Sequence, residues 1–347
     1  MGPCTRVLTW AVCCSVLALS GCGSADDPET QAAHDPVLDI NWPADTESSE
    51  TSADTQLKLQ VGQRFPLRKT VTQTLTQFAS DQPTQSTSRL ELMIEVRVQD
   101  VQQDHTQMQV RYLGVRYSQT INGQSTVYDS RATNQVIPPA ARMYSGLVNN
   151  GFSFTIGRNH QIGKLEGFDH FLEQCVQGIP EDQRQNAIAT LAAQVGESKI
   201  ANFIDDSIGL LPEDGEPKVG QKWQKTRHIL QPLPIQLDVN CSLDRLNPED
   251  LEISIVGRVQ PNVSQSLNHQ VAPGIRLTVQ KGHCLGTCRI SRTTGLPIHS
   301  QQKMELDFLV QIPNGGQFRQ HKQIITEIST YEQNAAAIRI SSPAAAQ

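Results

Sequence analysis

Residues 90–112 read LELMIEVRVQDVQQDHTQMQVRY, and this stretch decides the fold class. Leu90, Leu92, Ile94, Val96 and Val98 alternate with Glu91, Met93, Glu95, Arg97 and Gln99. A period of two over that length is the mark of a strand with one face covered. A polar turn over 100–105 leads to Met108, Val110 and Tyr112 at the same period, so the stretch predicts two long antiparallel strands. The apolar parity then moves to Leu113, Val115 and Tyr117, which places a bulge at Leu113-Gly114. Asn122-Gly123 follows as a two-residue hairpin turn.

Further strands follow downstream of this hairpin. Phe152, Phe154 and Ile156 form one, closed by Gly157-Arg158-Asn159. Ile235, Leu237, Val239, Cys241 and Leu243 form another, and the Asn247–Asp250 turn leads to Leu251, Ile253, Ile255 and Val259. Alternation returns at Ile275–Val279 and at Met304–Ile312, and Pro313–Gly316 turns the chain into a last strand through Ile324 and Ile328. Between residues 167 and 211 the period becomes helical: Phe168, Phe171, Leu172 and Cys175, then Ala187, Ile188 and Leu191, then Ile200, Phe203, Ile204 and Ile208. The expected fold is mainly β (α+β), with antiparallel curved sheets or an open barrel and a helical insert.

Val61-Gly62-Gln63-Arg64-Phe65 recurs as Val219-Gly220-Gln221-Lys222-Trp223, each copy preceding a long alternating hairpin. This predicts two related β units, at 58–166 and 213–333, flanking the insert at 167–212. The tail at 334–347 reads as loose.

With 347 residues, 18% charged and 37% hydrophobic, the chain is neither a disordered polymer nor a membrane-embedded bundle. Its 38 glutamines keep surfaces polar without charge. With a net charge of −6, duplex nucleic acid is not an expected partner, because binding phosphate backbones needs a basic face. Nine of the 35 acids fall in residues 23–57, which hold no Lys or Arg, so that segment reads as a solvated acidic tether and the body as near neutral.

Residues 1–21 place Arg6 before an apolar run from Val7 to Leu19, about 20 Å long as helix, too short to span a bilayer but suited to a secretory signal. Leu19-Ser20-Gly21-Cys22 resembles the lipobox of bacterial lipoprotein signal peptides. The resemblance implies cleavage before Cys22, lipid on that cysteine and an extracytoplasmic protein anchored to a membrane, with Gly23 favouring the outer membrane over the inner. Behind the lipobox, the two VGQ-aromatic openings with their long hairpins resemble an uncharacterised family of bacterial secreted and lipid-anchored proteins, over roughly 58–332. That family implies no activity. The pattern is also similar to lipoprotein-carrier and outer-membrane-receptor folds, in which helices plug a sheet with a greasy interior.

Four cysteines lie in the body. Cys284 and Cys288 would stand about 13 Å apart along a strand and could not bond each other. Cys241, Cys284 and Cys288 are the disulfide candidates, with Cys241 pairing with one of the other two, and Cys175 reads as a small buried hydrophobe. His283 with Cys284, Cys288 and Cys241 lacks the second knuckle of a zinc site, so no metal is assigned. Nucleophile-elbow, zincin, Walker and dinucleotide motifs are absent, and no cofactor is expected. Ser300 and Lys303 match S-x-x-K only on paper, because a strand sends them to opposite sides, and Asp205-Asp206 reads as a solvated face. The expected function is a lipid-anchored, non-catalytic binding protein for an apolar ligand or acylated partner. The alternative is a structural or assembly factor of the envelope without a small ligand.

Overall fold

The fold is seen in a computed structural model. It describes residues 57–331, apart from 134, 158–161, 186, 189–210, 212–216, 230–234, 262–269, 273–274 and 314. Cys22, the tether, the tail, Asp205-Asp206 and the helix expected over Ile200–Ile208 lie outside the described residues.

The first half of the chain forms β1 (Arg64–Phe78), β2 (Thr84–Val101), β3 (His105–Ile121), β4 (Gln124–Asp129), the one-turn helix α1 (Arg142–Ser145), β5 (Gly151–Gly157), β6 (Ile162–Glu166) and α2 (Phe168–Val176). The second half forms β7 (Lys222–Ile229), β8 (Ile235–Leu246), β9 (Asp250–Pro261), β10 (Gln270–Ala272), β11 (Ile275–Ser291), β12 (Pro297–Gln311) and β13 (Gln317–Thr330). All thirteen strands join one open antiparallel sheet in the order β6-β5-β3-β2-β1-β13-β12-β11-β9-β8-β7, with β4 beside β3 and β10 beside β11. The two halves therefore share a single sheet, joined where β1 pairs with β13 from Leu67↔Thr330 to Phe78↔Arg319.

Local features follow the sequence closely. Met93 faces Gly114 and Ile94 faces Tyr112, which leaves Leu113 as the extra residue of the expected bulge. Ile121 pairs with Gln124 around Asn122-Gly123, both at positive φ (49° and 81°), as a tight twisted hairpin turn requires. The helical insert begins as predicted at Phe168. Phe171 stacks on Tyr112 at 5.6 Å between ring centroids and meets Phe152 edge-on at 5.2 Å, so α2 covers the apolar face of β3 and β5. The chain is helical again over 181–185.

The two VGQ openings are built alike. Gly62 N–H donates to Val98 O at 2.9 Å, and Gly220 N–H to Leu243 O at 2.8 Å. In return Val98 N–H donates to Gln63 O and Leu243 N–H to Gln221 O. The Gln63 side-chain oxygen accepts Gln60 N–H at 2.9 Å, and the Gln221 oxygen accepts Lys218 N–H at 2.9 Å. Both glycines have φ near the left-handed region, at 88° and 80°, where a side chain would be strained. The five-residue repeat is thus a repeated turn with repeated donors and acceptors.

Candidate functional site

Antiparallel register assigns every strand residue to one of two faces. The apolar face carries Leu92, Ile94, Val96 and Val98 of β2, Phe152, Phe154 and Ile156 of β5, and Leu237, Val239, Cys241 and Leu243 of β8, all buried. Along these strands burial alternates residue by residue, as a covered face demands.

At the β1–β13 seam the alternation stops. Val71–Thr76 of β1 and His321–Glu327 of β13 are half-buried without a break, so neither face is packed there as closely as the apolar face of the neighbouring strands. On the apolar side the register aligns Leu90, Val71, Thr326 and Gln302 in one row, and Ser88, Gln73, Ile324 and Met304 in the next. Buried residues bound these rows at both ends, Leu92 and Ile328 on one side and Gln320 and Phe308 on the other. The result is a half-buried floor of aliphatic groups and amides inside a rim of packed side chains. Lys69 and Lys322 lie on the same face, six residues apart in sheet register (Lys69 opposite Ile328), or roughly 20 Å. In β1, β2, β12 and β13 no carboxylate shares that face: Glu91, Glu95 and Asp100, Glu305 and Asp307, and Glu327 are all placed on the other by the pairing.

The opposite face of β11–β13 is a polar ladder. Glu305 receives Lys303 Nζ at 2.6 Å and Gln323 Nε2 at 3.0 Å, and His283 Nε2 lies 3.3 Å from it. The Lys303 ammonium holds the Glu305 carboxyl below the usual carboxylate range, with help from Gln323. Asp307 is hydrogen-bonded to His321 Nδ1 at 2.8 Å and lies 3.7 Å from Lys281 Nζ. Away from the seam, Asp250 joins the β8–β9 turn to β11, accepting Arg289 and Asn247 Nδ2 (2.8 Å).

The cysteines fall where alternation sends them, and all four are buried. Cys284 and Cys288 share the apolar face at a spacing of four, as expected. The expected bond from Cys241 needs correction. Cys241 pairs with Ile255 on β9, and Ile255 pairs with Gly286 on β11, so a whole strand separates Cys241 from both partners. Two strand spacings amount to about 9.6 Å, beyond the reach of about 7 Å for a disulfide. Sequence alternation cannot show which strand lies between two others. His283 points to the polar face while Cys284 points away from it, which splits the only metal cluster considered. Among the described residues no group of His, Cys, Asp and Glu could hold a metal ion. Cys175 is buried, and burial pushes its thiol up to about 12. Ser300 is buried on the apolar face and Lys303 lies on the polar one, so they form no pair.

Sequence reading missed Lys69, Gln73, Gln320 and Lys322. The available signal was β1 itself, in which Thr70, Thr72, Thr74 and Thr76 occupy one parity. With no purely apolar parity opposite them, that strand escapes a search for hydrophobic alternation.

No curated protein matches this chain. Among solved structures it is similar to lipovitellin, described under lipid–protein interactions, at TM-score 0.42 and 11% identity, covering 83% of this chain and 26% of that one. The present chain thus spans about a quarter of that protein's length. It is also similar to DynF from the dynemicin biosynthesis pathway of Micromonospora chersina (TM-score 0.21, 5% identity, 87% and 94% covered). An outer membrane channel from Pseudomonas putida F1 gives a TM-score of 0.15 at 9% identity, with 80% and 98% covered. At such scores these likenesses carry no functional argument. A family model matches residues 103–297, more than half of the chain, from the β2–β3 turn to the start of β12, and on that match the protein belongs to the family of unknown function DUF6263.

Proposed function

We propose that this chain is a non-catalytic binding protein of the bacterial envelope. Lipid on Cys22 would anchor it, and it would seat an apolar ligand or acylated partner on the β1–β13 seam. One observation carries the reading: aliphatic side chains at Val71, Leu75, Leu90, Ile324 and Met304 stay half-buried inside a rim of buried ones. Apolar surface of that kind costs free energy in water and gains it when covered, at about 25 cal/mol per Å². The test is lipid mass spectrometry on the full chain purified from its own envelope. A co-extracted lipid at near-stoichiometric amount is expected, reduced several-fold by Ile324→Trp, which fills the floor. A protein that arrives empty overturns the reading.

The polar ladder of β11–β13 favours a second reading, a structural or assembly factor that docks envelope proteins through that flat charged face. It would show as an empty seam together with cross-links from Lys281 and Lys303 to a partner.

A further inference from the structure

The charge on the seam carries the reading above one step further, to the class of ligand. Lys322 lies on the half-buried seam face of β13, beside Leu75 of β1 and Leu306 of β12. Two residues away on the same face is Gln320, 2% exposed, between Gln77 and Phe308. Its Nε2 has no hydrogen-bond partner among the described residues. A buried N–H donor without an acceptor is costly and rare, and it calls for a group that supplies one. Here the missing acceptor would sit next to an ammonium group, on a face to which the four central strands contribute no carboxylate. Beyond this polar end the next two rows, reaching about 13 Å from Lys322, place Ile324, Met304, Val71 and Leu90 among Ser88, Gln73, Thr326 and Gln302.

We infer that the ligand is an acyl lipid with an anionic headgroup. The headgroup lies at Lys322 and Gln320, where it accepts the Gln320 amide N–H, and the acyl chain runs along the seam towards Leu90. The assignment rests on the binding reading proposed above. It requires positive charge on this face, not bare ammonium groups.

The experiment uses the full mature chain carrying Cys22→Ser, so that its own acyl groups do not compete, with palmitate and 1-hexadecanol as probes of equal chain length. Calorimetric titration should show palmitate binding about tenfold tighter or better, the scale of a charged hydrogen bond, with the preference shrinking as salt is raised. In Lys322→Gln and in Gln320→Leu the preference should fall towards parity while hexadecanol binding persists. Gln320→Leu should also raise the unfolding midpoint, because an apolar group replaces an unsatisfied donor. A merely structural glutamine would give a lower midpoint and an unchanged preference, which overturns the inference. Equal binding of both probes by the unmutated protein overturns the headgroup assignment and leaves the seam as an apolar site. Binding of neither overturns the seam reading itself. Palmitate binding that appears only after deletion of residues 23–57 would make the chain's own acidic tether the occupant, which also overturns the inference.

Discussion

Asp250 shows what one residue does in this sheet. Its carboxylate accepts from Arg289 on β11 and from Asn247 in the turn that precedes it, and it is 5% exposed. The Arg289 guanidinium, then the Asn247 amide, hold its carboxyl below the ordinary range. A depressed carboxyl stabilises the fold above its ordinary pKa of about 3.9, and that contribution disappears as pH falls through the lowered value. Asp250→Asn should therefore cost about 1–3 kcal/mol near neutral pH. The lower end is expected, since Arg289 is nearly half exposed. In urea titrations the gap to the unmutated protein should close towards pH 2. A gap that stays constant with pH would mean that packing, not charge, makes the contribution.

At the scale of the element, the repeated turn is the unit to test. Gln63 and Gln221 each close a turn by accepting a backbone N–H three residues earlier, and each turn is bonded to the end of the following long hairpin. Gln63→Ala and Gln221→Ala should destabilise by similar amounts, about 0.5–1.5 kcal/mol each, read from chemical unfolding. A large cost at one site and none at the other would leave the resemblance between the turns without an energetic counterpart. Strand β11 presents a different economy. Gly282 and Gly286 flank Cys284 on the apolar face, and a Cβ at Gly286 would come within 2.6 Å of Gln301 O. Small residues there let β12 approach closely.

For the whole molecule, the decisive feature is how the two halves meet. In β1 the chain starts at the middle of the sheet and works outward to β6; it re-enters at the opposite edge with β7 and returns to the middle with β13. The seam is thus formed by the first and last long strands, and Tyr331 N–H donates to Pro66 O at 3.2 Å where they meet. The proposed anchor acts at this scale too. Several acyl chains on one cysteine give a stable membrane hold where one gives a marginal one. Cys22→Ser should therefore move the protein from the membrane pellet to the soluble fraction on cell fractionation. Continued membrane retention would remove the lipid anchor from the proposal.

What the residues determined alone was local and periodic. Alternation at 90–112 and 235–259, the bulge at Leu113, the turn at Asn122-Gly123 and the helix at Phe168 depend on neighbours a few positions away, and each stands where it was expected. The separation of Cys284 from Cys288 was legible for the same reason. The tertiary structure alone decided which strands are adjacent. A period of two says which face a residue is on and nothing about which strand lies beside it. For that reason β9 between Cys241 and its expected partners could not be foreseen, nor could the pairing of β1 with β13. The candidate site is a product of that pairing. Lys69 and Lys322 are far apart in sequence, and they share a face only because hydrogen-bond register joins the two ends of the chain.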